Sequence, residues 1–307
     1  MKRLVYRAFL GGAFSLAVVV IGLFFWGRSR PEIKASHAKN ERPGSIAHLP
    51  GGYTYYESHG AQDAPVVVLV HGSLYYSVIW EKNIPALVDA GYRVIAFDQY
   101  GRGFSSRPDT TYTFDLFVEQ TESLLAYLDI TDPVHMVGLS LGGPIVISFA
   151  NRNPDLIQSI SLLAPVTPST EKRSFFEVVT GFLNRAYCTF SHRDFERQRA
   201  EQLAPLKEKM RRQFHYRGVE KAFASAITNR DRDKVGEIYA EAEKLHHPVL
   251  LLWGTLDRVL PIENHLSVLE TFESVQYIPL EETGHTLNYE QYEQINRALI
   301  SFFSHNE

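Results

Sequence analysis

Apolar residues along the chain fall into short, nearly unbroken runs at residues 66–70, 93–97, 134–138, 160–164, 249–253 and 275–279. Runs of this length, rich in Val, Ile and Leu and lacking strict alternation, predict strands covered on both faces. Between them lie longer amphipathic stretches; residues 288–303, for example, predict a helix. A hairpin over about 46–58 adds two more strands ahead of the first run. Strand and helix in alternation predict an α/β fold, a mostly parallel eight-stranded sheet with helices on both faces.

The alternation breaks between Pro165 and Pro248. The part of that stretch over about 168–229 is too long for a crossover and predicts an inserted helical cap. Within it Phe175, Val179, Phe182 and Leu183 recur at helical spacing, as do Leu203, Leu206, Met210 and Phe214. Such stripes are first of all core packing, and only some of their residues can face a cleft. Arg193, Arg197, Arg199, Arg211 and Arg212 make the cap basic, which by default means a solvated face.

The amino terminus has another pattern. Residues 8–27 carry no charge and lie between Lys2, Arg3 and Arg7 on one side and Arg28 and Arg30 on the other. A helix of about 20 residues spans about 30 Å, the thickness of a bilayer's hydrocarbon core. The run ends in Phe24-Phe25-Trp26, with no small-residue cleavage site nearby. The expected domains are therefore a transmembrane signal anchor over 1–30, a solvated linker over 31–45 and a catalytic domain over 46–307. The chain would then be held in a membrane by one helix with its catalytic domain extracytoplasmic; the rival reading is a signal that is cleaved, releasing a secreted protein.

Composition narrows the functional classes. The net charge of −4 gives no electrostatic footprint for nucleic acid. One cysteine, Cys188, excludes an internal disulfide and a cysteine-based zinc site, and the twelve histidines show no metal-ligand spacing. No metal or organic cofactor is expected.

Chemistry enters at Gly138-Leu139-Ser140-Leu141-Gly142. The pentapeptide alone is weak evidence, but the apolar strand before it and the helix after it, with Pro144 in the first turn, fit the strand–turn–helix that exposes a serine hydroxyl. A serine needs a base and a group to orient that base. His285 lies in a turn between a strand and the last helix, and Asp257 where the 249–253 run gives way to a turn. Each also has an ordinary reading, as a turn serine, a helix-start histidine or a capping aspartate. The chain order Ser, Asp, His favours a hydrolytic triad.

With Val66–Val70 followed by His71-Gly72-Ser73, the segment Asp98-Gln99-Tyr100-Gly101-Arg102-Gly103, the elbow, and the Asp257 and His285 turns all in register, the chain resembles the α/β-hydrolase superfamily over about residues 50–305. The resemblance implies Ser140, Asp257 and His285 as catalytic residues and an oxyanion hole made by the backbone N–H groups of Ser73 and Leu141. It also implies structural roles for His71 and Asp98. Tyr75, Tyr76, Trp80 and Phe104, on loops of the same side, are expected to line the substrate pocket with the cap. The activity implied is hydrolysis of small to medium apolar carboxylic esters through an acyl-enzyme. Alternatives are cleavage of a carbon–carbon bond in a vinylogous diketone (meta-cleavage-product type) and a non-catalytic ligand-binding homologue.

Overall fold

The computed structural model describes residues 30–168, 194–228 and 233–307. Eight strands form one sheet: β1 (Ser45–Leu49), β2 (Gly52–His59), β3 (Val66–Val70), β4 (Arg93–Phe97), β5 (Val134–Leu139), β6 (Ile157–Leu163), β7 (Val249–Gly254) and β8 (Val275–Leu280). Their spatial order is β1-β2-β4-β3-β5-β6-β7-β8, and only the pairings made by β2 are antiparallel. The strands match the apolar runs, because a strand covered by helices on both faces has no polar face to alternate with. All six residues of β5 and of β7 are buried.

Helix Gly142–Arg152 follows β5 and buries every residue from Gly142 to Ala150. Two glycines make this possible. A Cβ on Gly138 would lie 2.5 Å from the Gly142 carbonyl oxygen, and one on Gly142 would strike the Val70 carbonyl oxygen, so strand and helix can touch only there.

The described part of the insertion holds helices Asp194–Arg211 and Val219–Thr228. Leu203 and Leu206 of the second stripe are buried in the core, while Met210 and Phe214 are half-buried. The first stripe, from Phe175 to Leu183, and Cys188 lie outside the described residues.

At the amino-terminal side, residues 30–44, most of them in the stretch expected as a linker, contact the domain as a strap. Ile33 is buried, a short helix spans Ala35–Glu41, and Arg217 N–H donates to the Pro31 carbonyl. Arg30 forks onto Glu220 at 2.6 and 2.9 Å and also reaches the Phe214 carbonyl. The guanidinium of Arg42 sits between the rings of Tyr55 and Tyr76, pairs with Glu57 at 2.5 Å and donates to Ser77 Oγ. Burial alone would lower the Arg42 pKa, but Asp98 and Glu57 outweigh it and the value rises. The membrane-anchored, extracytoplasmic placement does not stand. No helix among the described residues is long and apolar enough to cross a membrane, and the run at 8–27, which also supported the cleaved-signal alternative, lies outside them. Arg30, expected as the anchor's polar flank, is folded onto the domain.

Candidate active site

The carboxyl ends of β5, β7 and β8 bring the three triad candidates together. Ser140 leaves β5 with φ of +55°, a left-handed conformation that costs a non-glycine residue about 1–2 kcal/mol. The surrounding backbone holds it there: Ser140 N–H donates to the Leu163 carbonyl, and the Ser140 carbonyl accepts from the amides of Gly143 and Val166. The strain keeps the side chain clear of the sheet, where His285 Nε2 lies 3.0 Å from Ser140 Oγ.

On its other side His285 Nδ1 lies 2.7 Å from Asp257 Oδ2. Asp257 Oδ1 accepts the N–H groups of Val259 (2.8 Å) and Leu260 (2.9 Å), so the whole carboxylate is used and its side chain is fully buried. Trp253 Nε1–H donates to the Leu260 carbonyl and steadies that turn. The β7 end and the histidine loop are in backbone contact: Leu256 N–H donates to the Thr283 carbonyl, and a side chain on Gly254 would collide with the same oxygen. Because Asp257 is acceptor-only, Nδ1 must carry the proton and Nε2 is free to accept one from serine.

Beside the serine runs the loop His71-Gly72-Ser73. Gly72 packs so tightly that a Cβ there would lie 3.1 Å from Ser140 Cβ. Among the described residues no acceptor takes the N–H of Ser73 or of Leu141, the two expected oxyanion donors. His71 holds the loop from beneath. Its Nδ1 donates to the Gly72 carbonyl at 2.7 Å, and its Nε2 accepts from Gln99 N–H at 2.9 Å. Burial pushes its pKa down to about 3, so the ring stays neutral. Asp98 fixes the neighbouring loops, accepting from Ser77 N–H and Oγ–H and from Phe104 N–H. Burial raises its pKa, against the pull of Arg42 and these hydrogen bonds.

The aromatic residues divide. Tyr76, Trp80 and Phe104 are fully buried, with Phe104 packed against both Tyr55 and Tyr76 and the Tyr76 hydroxyl donating to the Lys209 carbonyl. They pack beneath the loops as part of the buried core. Tyr75 alone of the four keeps partial exposure. Two residues not expected at the site join it: Glu290, which accepts hydrogen bonds from both residues flanking His285, and its cap partner Arg199. No local motif marks Glu290: it stands four residues after Thr286, one position beyond the spacing of a capping box.

The chain is similar to known proteins over most of its length. A family model described as the alpha/beta hydrolase fold matches residues 65–292. A 2-hydroxy-6-oxo-2,4-heptadienoate hydrolase from Pseudomonas putida is 29% identical over 76% of this chain and 86% of its own. A bifunctional esterase/perhydrolase from Acinetobacter calcoaceticus is 25% identical over 84% of this chain and 99% of its own. Among solved structures, a meta-cleavage product hydrolase superposes with a TM-score of 0.69 at 25% identity, covering 85% of this chain and 98% of that one. With a family model running from β3 to the last helix, and relatives of this kind at nearly full length, the chain belongs to the α/β-hydrolase family and is an enzyme of it.

Proposed function

We propose that the protein is a serine hydrolase of small to medium apolar carboxylic esters, with Ser140 as nucleophile, His285 as general base and acid, and Asp257 as the group that orients the imidazole. The observation that carries this reading is the unbroken line from Ser140 Oγ to His285 to Asp257, at 3.0 and 2.7 Å. Ser140 attacks the ester carbonyl as Nε2 takes its proton. The Ser73 and Leu141 amides receive the oxyanion, each worth about 3–4 kcal/mol in such a role. The imidazolium protonates the departing alcohol, and water, activated by the same histidine, releases the acid.

The test is a series of p-nitrophenyl esters. Each added methylene that finds apolar surface should raise kcat/KM roughly fourfold, about 0.8 kcal/mol, until the cleft ends. A fluorophosphonate should label Ser140 and abolish turnover. The second reading, carbon–carbon cleavage of a vinylogous diketone, is favoured by the names of two of the relatives. Rapid turnover of such a diketone beside negligible ester hydrolysis would replace the ester reading.

A further inference from the structure

We infer that Glu290 and Arg199 are positioning residues that place the His285 ring and make its placement depend on the seating of the cap. The inference rests on the triad reading above. Glu290 stands on the short helix Leu287–Glu290, just past the histidine. Its Oε2 accepts the Gly284 N–H at 2.9 Å, and its Oε1 accepts the Thr286 N–H at 3.1 Å and the Thr286 hydroxyl at 2.6 Å. One carboxylate therefore grips the residue on each side of His285 and fixes the backbone from which the imidazole hangs.

The charge on that carboxylate is met from the cap. Arg199, on helix Asp194–Arg211, reaches Glu290 Oε1 at 3.0 Å and Oε2 at 2.9 Å, and Gln202, on the same helix, donates to the Glu290 carbonyl at 2.8 Å. The guanidinium lies over the Gly284 peptide so closely that any side chain at Gly284 would collide with it. The Glu290 side chain is only 5% exposed. A buried carboxylate with its lone pairs filled by two amides, a hydroxyl and a guanidinium is well held while all remain; taking away the cation leaves it undercompensated. If the cap helix lifts, Glu290 loses its counter-charge, the loop it grips is freed to shift, and the His285 Nε2 to Ser140 Oγ alignment goes with it. The placement of the active-site base is thus tied to the seating of the cap helix through two residues outside the triad.

The experiment compares Glu290→Ala, Glu290→Gln, Arg199→Met and Arg199→Lys in the full chain, with folded protein quantified by circular dichroism and turnover measured on a p-nitrophenyl ester. A misplacement of about 1 Å costs on the order of 10²-fold. Glu290→Ala should lower kcat by that order with KM within about threefold, and Glu290→Gln and Arg199→Met by roughly tenfold each. Arg199→Lys should recover most of the loss. In the Glu290→Gln background, Arg199→Met should add less than about twofold, because the two act as one unit. The rate of fluorophosphonate labelling at Ser140 should fall in step with kcat. A lower melting temperature with kcat per folded molecule unchanged, a loss confined to KM, or additive losses in the double variant would each overturn the inference. Should Glu290→Ala fail to fold, the Arg199 pair decides alone. If Ser140→Ala kept its activity, the triad reading itself would fall; normal kcat in the Arg199 and Glu290 variants with a Ser140-dependent reaction would sink only the positioning role.

Discussion

Replacing Asp257 with asparagine tests the triad through a choice that the surrounding backbone makes in advance. In the native protein Oδ1 accepts the Val259 and Leu260 amides, and Oδ2 faces His285 Nδ1. Asparagine can offer its carbonyl oxygen to only one side. If the oxygen faces the two amides, its NH₂ group points at Nδ1, which must then accept, so the proton moves to Nε2 and faces Ser140 Oγ. If the amide flips, two backbone donors lose their acceptor, at about 1–3 kcal/mol for each buried N–H. The flip therefore costs at least about 2 kcal/mol, a bias of about 30-fold toward the wrong tautomer at 1.4 kcal/mol per factor of ten. Loss of the negative charge that steadies the imidazolium adds to this, and the total should reach on the order of 10⁴ in kcat. The assay is p-nitrophenyl acetate hydrolysis at neutral pH, with a thermal melt to show that the fold persists. Asp257→Asn activity within about tenfold of wild type would refute both the tautomer reasoning and the assignment of the acid.

Other outcomes follow from the same contacts. Ser140→Ala should lower turnover by several orders of magnitude, and Ser140→Gly, equally inactive, should melt above it, because glycine relieves the +55° φ; the reverse order of melting would show that the elbow is not strained. A chain starting at Pro43 should melt on the order of 10 °C lower than one starting at Arg30, since it loses the burial of Ile33 (about 1.5–3 kcal/mol) and leaves Glu57 and Asp98 without Arg42; equal melting temperatures would contradict the strap. His135 is buried against Tyr92 and Phe303, with burial first among the causes that lower its pKa to about 4 despite Glu307. Its folded pKa lies below the ordinary 6.5, so its contribution is whole above pH 6.5 and shrinks as pH falls, by up to about 3 kcal/mol at pH 4. Urea unfolding at pH 7 and pH 4 should show a smaller drop for His135→Gln than for wild type.

The strands and the triad were legible for different reasons. A parallel sheet buried on both faces writes itself as apolar runs, and β3, β4, β5, β7 and β8 lie within a residue of where those runs predict them. Ser140, Asp257 and His285 announce themselves through short-range motifs, glycines included, and the structure brings all three into hydrogen-bonding distance. What depended on long-range packing was not legible. Tyr76, Trp80 and Phe104 are aromatic whether they face a cleft or the core, and only the third dimension sends them inward. Arg42 is one arginine in a polar stretch, yet its partners are Glu57 on β2, Ser77 at the start of a short 3-10 helix and Asp98 just past the end of β4. Arg199 and Glu290 are separated by 91 residues, and no local pattern links them.

The strap at residues 30–44 has a consequence for how the enzyme can be recombined with its relatives. Besides Arg30 on Glu220, it contributes Glu41 to Arg212, Glu32 to Arg217 and the His37 ring stacked on Tyr216. All four cap partners belong to the second half of the insertion, and the strap itself lies upstream of the stretch that the family model matches. The cap and the strap that holds it are therefore two distant pieces of sequence. A chimera that exchanges only residues 168–229 would seat a foreign cap on a strap with no matching charges, so transplanting specificity into this scaffold requires both pieces to travel together.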